Sequence, residues 1–224
     1  MDNKTSAPVR WLITAAAIIS FALFIISASI AVPIVIRPFY YAQVKILKIE
    51  ETTGYTYDEI TEAYDEMMDY CLGLDDEFGT GTLVWSESGR DHFADCRSLF
   101  ILDLTVLGVT SAFLIIYAVL KKFAGIRPCW LKGRSPCFWA GLGVLVSFAV
   151  IAGLGSIDFD RTFVIFHKIF FPGKTNWVFY PEYDEIIKIL PETFFMNCAI
   201  LIVTVLAILC VIAMIAGRKS RKGD

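Results

Sequence analysis

Four long apolar runs, separated by polar stretches, are the strongest pattern in this sequence. They cover Trp11–Ile36, Leu99–Leu120, Phe138–Gly155 and Phe194–Ala216. A helix needs about 20 predominantly apolar residues to cross the hydrocarbon core of a bilayer, and each run comes near that length. The pattern therefore predicts a mainly α-helical membrane protein with four transmembrane helices.

The composition agrees with a membrane protein. Hydrophobic residues make up 56% of the chain and the mean hydropathy is +0.61, whereas soluble domains contain about 45–50% apolar residues. The first run has a rival interpretation as a cleavable signal peptide, with Ser27-Ala28-Ser29 as the cleavage site. Its apolar stretch is longer than the roughly 7–15 residues of a typical signal core, so we expect it to remain as an anchor.

The distribution of positive charge predicts how the helices are oriented. The two chain ends and the segment between runs two and three hold 11 of the 20 basic residues, among them Lys4, Arg10, Arg127 and Lys219. Cytoplasmic loops carry an excess of Lys and Arg. We therefore expect a multi-pass protein of the cell membrane with both termini in the cytoplasm and a small extracellular cap built from two outer segments. The expected segments are a cytoplasmic tail (1–10), transmembrane helix 1 (11–36), the first cap segment (37–98), transmembrane helix 2 (99–120), a basic cytoplasmic loop (121–137), transmembrane helix 3 (138–155), the second cap segment (156–193), transmembrane helix 4 (194–216) and a cytoplasmic tail (217–224).

The two cap segments are expected to contain helices and one short strand. Thr56-Tyr-Asp-Glu59 has the pattern of a capping box, and the helix that follows should end at Gly73. Thr80–Trp85 resembles a short strand, which makes the expected cap a mixed one. In the second cap segment, phenylalanines recur at helical spacing between Phe159 and Phe170.

Another helix of the first cap segment should begin at Asp91, a good N-cap residue. It is predicted to run without a break into the second apolar run. His92, Asp95 and Cys96 then share one face, at positions i, i+3 and i+4. A histidine at a helix start lies where the helix dipole disfavours a positive imidazole, and a neutral imidazole can act as a general base.

His92 and His167 are the only histidines in the chain, and both lie close to a predicted membrane boundary. Histidine titrates near neutral pH and is the commonest acid–base catalyst. The alternative without a catalytic role is that each histidine is an interfacial side chain with a polar tip. Asp95 could orient His92, and a zinc site from His92, Asp95, Cys96 and His167 is conceivable. A disulfide between Cys71 and Cys96 also stays open.

Two stretches of the sequence resemble a known family. One contains His92-Phe-Ala-Asp95 and leads into a spanning run; the other contains Phe166-His167, Trp177 and Pro181 in that order. These patterns, with the layout of nearly the whole chain, resemble the lipoprotein intramolecular transacylases, which are bacterial four-helix membrane proteins. The resemblance implies an extracellular cap and two catalytic histidines at its membrane side, which match His92 and His167.

The resemblance also implies a substrate and a reaction. The expected substrate is the diacylglyceryl-modified N-terminal cysteine of a bacterial lipoprotein, embedded in membrane lipid. The middle-position acyl chain of the glyceryl group moves to the cysteine α-amine and leaves a lyso-form lipoprotein. We expect no cofactor, no metal and no nucleic acid in this reaction.

The residues themselves fit such a transfer, because the amine must lose a proton and the glyceryl oxygen must gain one. We expect His92 as the base and His167 as the acid, although the roles could be reversed. Candidate donors to the oxyanion are Arg90, Arg97, Trp177 and backbone amides near His92, and Phe93 and Phe166 are expected to line the apolar pocket. The alternatives are a non-enzymatic four-helix scaffold and a lipid hydrolase at the same site.

Overall fold

The computed structural model describes residues 6–218, and across that range it contains helices and no β-strand. Lys4, Lys219, Arg221 and Lys222, which enter the prediction of orientation, lie outside the described residues. The helices are α1 (Ala7–Val35), α2 (Arg37–Ile46), α3 (Ile49–Thr53), α4 (Tyr57–Leu72), α5 (Glu87–Phe123), α6 (Pro136–Gly155), α7 (Phe159–Phe170), α8 (Ile186–Ile189) and α9 (Glu192–Ala216).

Four of the described helices are long and apolar enough to cross a membrane, which confirms the prediction of four spans. They are α1, α5, α6 and α9, with 29, 37, 20 and 25 residues. A helix of 37 residues is about 55 Å long, whereas the hydrocarbon core of a bilayer is about 30 Å thick. Helix α5 therefore extends well beyond the apolar stretch Leu99–Leu120.

The chain divides into two compact units. Among the described residues, unit 1 comprises 6–30, 104–153 and 203–218, and unit 2 comprises 31–103 and 154–202. In unit 1, Ile25, Val144, Leu206 and Cys210 form a buried apolar cluster. Gly141 allows α6 to approach α9 closely, because a Cβ atom there would lie 2.8 Å from the Cys210 carbonyl oxygen.

Unit 2 packs around a buried aromatic group. The rings of Tyr40 and Tyr64 stack with centroids 3.7 Å apart, and Phe194 meets Tyr40 edge-on at 5.2 Å. The Tyr40 hydroxyl donates to the Ile189 carbonyl oxygen at 2.9 Å. Because a buried tyrosine hydroxyl needs a partner, this bond fixes α2 against α8 in one register.

Helix α4 begins and ends as its sequence predicts. The Glu59 N–H donates to the Thr56 hydroxyl at 3.3 Å, and the Thr56 N–H donates to the Glu59 carboxylate at 2.8 Å. Gly73 ends the helix in the left-handed conformation, with φ +71°. Local side-chain chemistry was enough to locate this element.

The predicted strand Thr80–Trp85 is wrong. The segment is a turn, in which the Leu83 N–H donates to the Thr80 carbonyl oxygen at 3.0 Å and the Thr80 hydroxyl donates to the Leu83 carbonyl oxygen at 2.8 Å. Val84 then exchanges two hydrogen bonds with Glu185, one of them with the Glu185 side chain. A strand needs a neighbouring strand, and the described residues provide none. The segment expected as the first part of the cap (37–98) therefore consists of helices and irregular structure rather than a mixture of helix and strand.

Helix α5 begins at Glu87, four residues before the predicted start at Asp91. The Ser86 hydroxyl caps it by accepting a hydrogen bond from the Gly89 N–H at 3.0 Å. Asp184, which is 4% exposed, accepts from both the N–H and the hydroxyl of Ser86 at 2.8 and 2.9 Å. The prediction that this helix continues unbroken into the second apolar run is confirmed, but His92 lies in its second turn.

Gly89 makes the contact between α5 and Asp184 possible. A Cβ atom there would lie 2.2 Å from the Asp184 carboxylate oxygen Oδ1. We expect Gly89→Ala to lower the free energy of unfolding by about 1–3 kcal/mol, the usual cost of overpacking. Thermal unfolding of the detergent-purified protein measures this. The matched control is Gly108→Ala in the same helix, where the added methyl meets no atom within 4 Å; equal midpoints for both variants would contradict the assignment.

Candidate active site

The two histidines lie next to each other in unit 2. Their ring centroids are 5.8 Å apart, and the planes are tilted by 32°. His92 is 5% exposed and His167 is 7% exposed. Helix α5 supplies the first and α7 the second, so residues 75 positions apart in sequence form one buried pair.

Aromatic side chains surround the pair. Phe171 and Phe179 meet the His92 ring edge-on at centroid distances of 4.9 and 5.4 Å. Phe163 and Trp177 lie 4.2 and 4.9 Å from the His167 ring. Of these four residues, only Trp177 was expected from the sequence. Phe163 could have been found from its position one turn before His167, but no sequence signal indicates Phe171 or Phe179.

His167 is oriented by its own helix. Its Nδ1 atom lies 2.8 Å from the Phe163 carbonyl oxygen. A carbonyl oxygen only accepts hydrogen bonds, so Nδ1 carries the proton. In the neutral ring the lone pair is then on Nε2, and Nε2 is the atom that can accept a proton from a substrate.

His92 has one satisfied and one unsatisfied nitrogen. Its Nε2 atom lies 3.5 Å from the Cys96 sulfur, and its buried Nδ1 atom has no hydrogen-bond partner within residues 6–218. A thiol with an ordinary pKa of about 8.5 carries its proton at neutral pH and can donate it to Nε2. In that tautomer the proton of the neutral ring is on Nδ1, as a buried N–H group without an acceptor within residues 6–218.

The surroundings of the two imidazoles affect their pKa values differently. His92 precedes the apolar stretch that begins at Leu99, and desolvation, reinforced by the neighbouring His167, lowers its pKa to about 4. Desolvation also lowers the pKa of His167, but the hydrogen bond to Phe163 acts in the opposite direction because it favours the charged ring. Burial thus favours the neutral form of both rings, and only His167 has a backbone carbonyl that stabilises its protonated form.

Asp95 lies one turn after His92, but its carboxylate is hydrogen-bonded to other residues. Lys174 donates to Oδ1, and the Asn176 amide nitrogen donates to Oδ2 at 3.1 Å. No hydrogen bond joins Asp95 to His92, so its effect on the ring is a through-space one that raises the pKa of His92 against the effect of burial. Lys174 and Asn176 were not predicted from the sequence, because nothing local connects them to a helix about 80 residues away.

The three side chains expected to donate to an oxyanion all have other partners. Arg90 forms an ion pair with Asp91 at 3.1 Å. Arg97 contacts Asp76 at 3.0 Å, and the Trp177 ring nitrogen donates to the Lys174 carbonyl oxygen at 2.9 Å. The bond from Trp177 instead holds its ring against His167.

The two phenylalanines predicted for the pocket occupy different environments. Phe93 is 7% exposed and its ring lies 5.8 Å from that of His92. Phe166 is 48% exposed, with its ring 5.5 Å from that of His167. Phe93 thus belongs to the packed wall, while Phe166 stands at its open side.

The cysteines and acids near the pair form neither a disulfide nor a metal cluster in the portion of the chain that the structure describes. Cys71 and Cys96 are both free thiols. Across residues 6–218 no three His, Cys, Asp or Glu side chains come close enough together to hold a metal ion. The conceivable zinc site has no structural counterpart there.

A cleft of about 500 Å³ lies beside the loop that follows α7. It is lined by five residues with hydroxyl groups, one valine and one carboxylate, which are Ser86, Ser88, Thr175, Tyr180, Tyr183, Val178 and Asp184. Thr175 and Val178 flank the segment that carries Asn176 and Trp177. The same loop therefore has one side chain against His167 and others in this cleft.

A helical chain with four candidate membrane spans and a buried histidine pair is a membrane protein in which two imidazoles are withdrawn from water among aromatic rings. The model of the family described as lipoprotein intramolecular transacylase Lit matches residues 15–195, a range that contains both histidines. The chain belongs to this family and is an acyltransferase.

Solved structures agree with the family assignment. The structure of the membrane-integral lipoprotein intramolecular transacylase Lit from Bacillus cereus superposes with a TM-score of 0.81 at 27% sequence identity, covering 94% of this chain and 95% of that one. Two further structures of the Bacillus cereus protein, in which a histidine is replaced by arginine or alanine, superpose with TM-scores of 0.74 at 27% identity. They cover 92% of this chain and 88% and 90% of theirs. No curated protein sequence matches significantly.

Proposed function

We propose that this acyltransferase moves the middle-position acyl chain of a diacylglyceryl-cysteine lipoprotein to the cysteine α-amine by means of the His92–His167 pair. The bond between the acyl carbon and nitrogen forms, the bond to the glyceryl oxygen breaks, and one proton passes from nitrogen to that oxygen. The observation that carries the proposal is the distance of 5.8 Å between the ring centroids of two buried imidazoles. Nε2 of His167 is free to accept a proton, and Nδ1 of His92 is without a partner among the described residues.

His167 acts as the base. Its Nδ1–H bond to Phe163 leaves Nε2 as the acceptor, and the same bond stabilises the imidazolium that forms when the amine attacks. The protonated ring then gives this proton to the departing glyceryl oxygen. One residue can thus serve both halves of the reaction, because the nucleophile loses one proton and the leaving group gains one.

His92 acts as a neutral donor. Its low pKa keeps it uncharged, and its unpartnered Nδ1–H group can donate a hydrogen bond to the negative charge that develops on the acyl oxygen. This differs from the roles expected from the sequence, where His92 was the base and His167 the acid. The expectation rested on a helix start at Asp91, whereas α5 begins four residues earlier.

The aromatic shell favours transfer over hydrolysis. Water and the amine attack the same ester, so a site open to solvent would release fatty acid. Phe171, Phe179 and Trp177 contact the histidines with apolar surface, which excludes water and suits acyl chains. Because donor and acceptor belong to one molecule, holding the lipid head folded replaces much of the entropic cost of a bimolecular reaction.

The orientation that we propose puts both termini in the cytoplasm and the histidine pair at the outer leaflet, where the lipidated end of a lipoprotein is anchored. The support is the charge pattern: the loop between α5 and α6 carries Arg127, Lys132 and Arg134 and no acid. The segments before α5 and after α6 are acidic overall.

Product analysis tests the reaction. With purified protein and a diacylglyceryl-cysteine peptide, we expect a product of unchanged mass whose fragmentation places one acyl chain on nitrogen. His92→Ala and His167→Ala should each abolish conversion while the protein still accumulates in the membrane. Release of free fatty acid by the unaltered protein would establish a hydrolase, and an unchanged peptide would favour a scaffold.

The roles proposed for the two histidines predict different effects of substitution by asparagine. Asparagine offers an N–H donor but no basic nitrogen, so we expect His92→Asn to turn over about tenfold faster than His92→Ala. His167→Asn should be as inactive as His167→Ala, about 10²–10⁴-fold below the unaltered protein. Single-turnover rates measure this. The opposite asymmetry would return the base to His92.

Cysteine labelling tests the orientation. Leu74→Cys and Phe123→Cys introduce thiols at positions of similar exposure, 72% and 76%. We expect a membrane-impermeant maleimide added to intact cells to label the first and not the second, above the background of the unaltered chain. Labelling of Phe123→Cys alone would invert the topology.

A further inference from the structure

Asn176 carries the second polar atom near the histidines that is buried without a partner. Its Oδ1 atom finds no hydrogen bond within the described residues. Its Nδ2 atom donates to Asp95 at 3.1 Å. This contact also decides the orientation of the amide, because a flipped Asn176 would point its oxygen at a carboxylate that only accepts.

Other contacts hold the partner of Asn176 in place. Asp95 also accepts a hydrogen bond from Lys174, and the Lys174 carbonyl oxygen accepts the hydrogen bond of the Trp177 ring N–H at 2.9 Å. Three consecutive contacts thus connect α5, the loop after α7 and the ring that lies 4.9 Å from His167. An acceptor held in this way, and left unsatisfied in a buried place, is unfavourable unless a ligand supplies a donor.

The substrate amine has one N–H donor that takes no part in the roles proposed for the two histidines. A neutral α-amine has two N–H groups. One is transferred to His167 during attack, and the other remains on nitrogen and becomes the amide N–H of the product. In an aromatic pocket without water this second N–H needs an acceptor of its own.

We propose that Asn176 Oδ1 accepts the hydrogen bond of the amine N–H that stays on nitrogen, and so aims the nitrogen lone pair at the ester. The inference rests on the proposed function and adds a substrate-positioning residue to it. A neutral amide suits the role, because a carboxylate would favour the ammonium form, which has no lone pair with which to attack.

The place of Asn176 along the chain fits this role. Trp177, the next residue, contacts the His167 ring, and Thr175, the preceding one, lines the cleft of about 500 Å³ that contains the Asp184 carboxylate and several hydroxyl groups. A lipidated cysteine has the same division, with acyl chains on one side of the α-amine and a polypeptide on the other. Asn176 therefore lies where the apolar and polar portions of such a substrate meet.

A substrate with one N–H removed isolates the contact. An N-methyl-cysteine peptide keeps the proton that is transferred and replaces the retained one by a methyl group. On the primary amine, we expect Asn176→Ala and the near-isosteric Asn176→Leu to lower the single-turnover rate about tenfold or more. On the N-methyl substrate, each variant should differ from the unaltered protein by less than about twofold, since the contact is absent there.

The matched control is Asn197→Ala, which removes another amide bonded inside unit 2, to Gln43 at 2.7 Å. Any loss there should be the same for both substrates. Equal losses on both substrates for the Asn176 variants would overturn the inference and assign the residue to structure alone. If the unaltered protein converts neither substrate, the proposed function itself fails, whereas conversion with equal losses removes only the role of Asn176.

Discussion

Polar atoms withdrawn from water must find hydrogen-bond partners, and this constraint organises the region around the histidines. The phenylalanine rings that cover His92 and His167 offer none, so each polar group there depends on a specific neighbour. His167 is bonded to the Phe163 carbonyl, and Asp95 to Lys174 and Asn176. Nδ1 of His92 and Oδ1 of Asn176 have no partner within residues 6–218, and they are then the atoms that a ligand is best placed to satisfy.

The sequence was informative where structure depends on neighbours in the chain. The capping box at Thr56, the stop at Gly73 and the helix through His167 are local, and each was predicted correctly. The start of α5 was missed because Asp184, 98 residues away, stabilises Ser86 as the cap. The local sequence around Ser86 gives no sign of a contact with a carboxylate so far away in the chain. Asp91 was therefore predicted to be the cap.

In the candidate site, too, the sequence was informative about local features and not about contacts between distant residues. That two histidines converge could be inferred from their number and their nearness to apolar runs, and from the family resemblance. Their distinct chemistry could not, because it follows from atoms that only folding brings together: the Cys96 thiol at one ring and the Phe163 carbonyl at the other. Arg90 and Arg97 looked suitable as anion donors, but acids beside them in the fold, Asp91 and Asp76, already engage their charges.

Desolvation both enables this site and limits what it can do. It keeps both imidazoles neutral, which a proton acceptor requires, but it also makes any new charge costly unless a partner is ready. The Phe163 carbonyl is such a partner for an imidazolium at His167, whereas an imidazolium at His92 would face the lowered pKa that burial and its neighbour impose. In the mechanism that we propose, the proton should therefore stay on His167 between its removal from nitrogen and its delivery to oxygen. An intramolecular transfer suits that arrangement, since the nitrogen and the oxygen belong to one cysteine-linked glyceryl group and a single ring can reach both without a covalent enzyme intermediate.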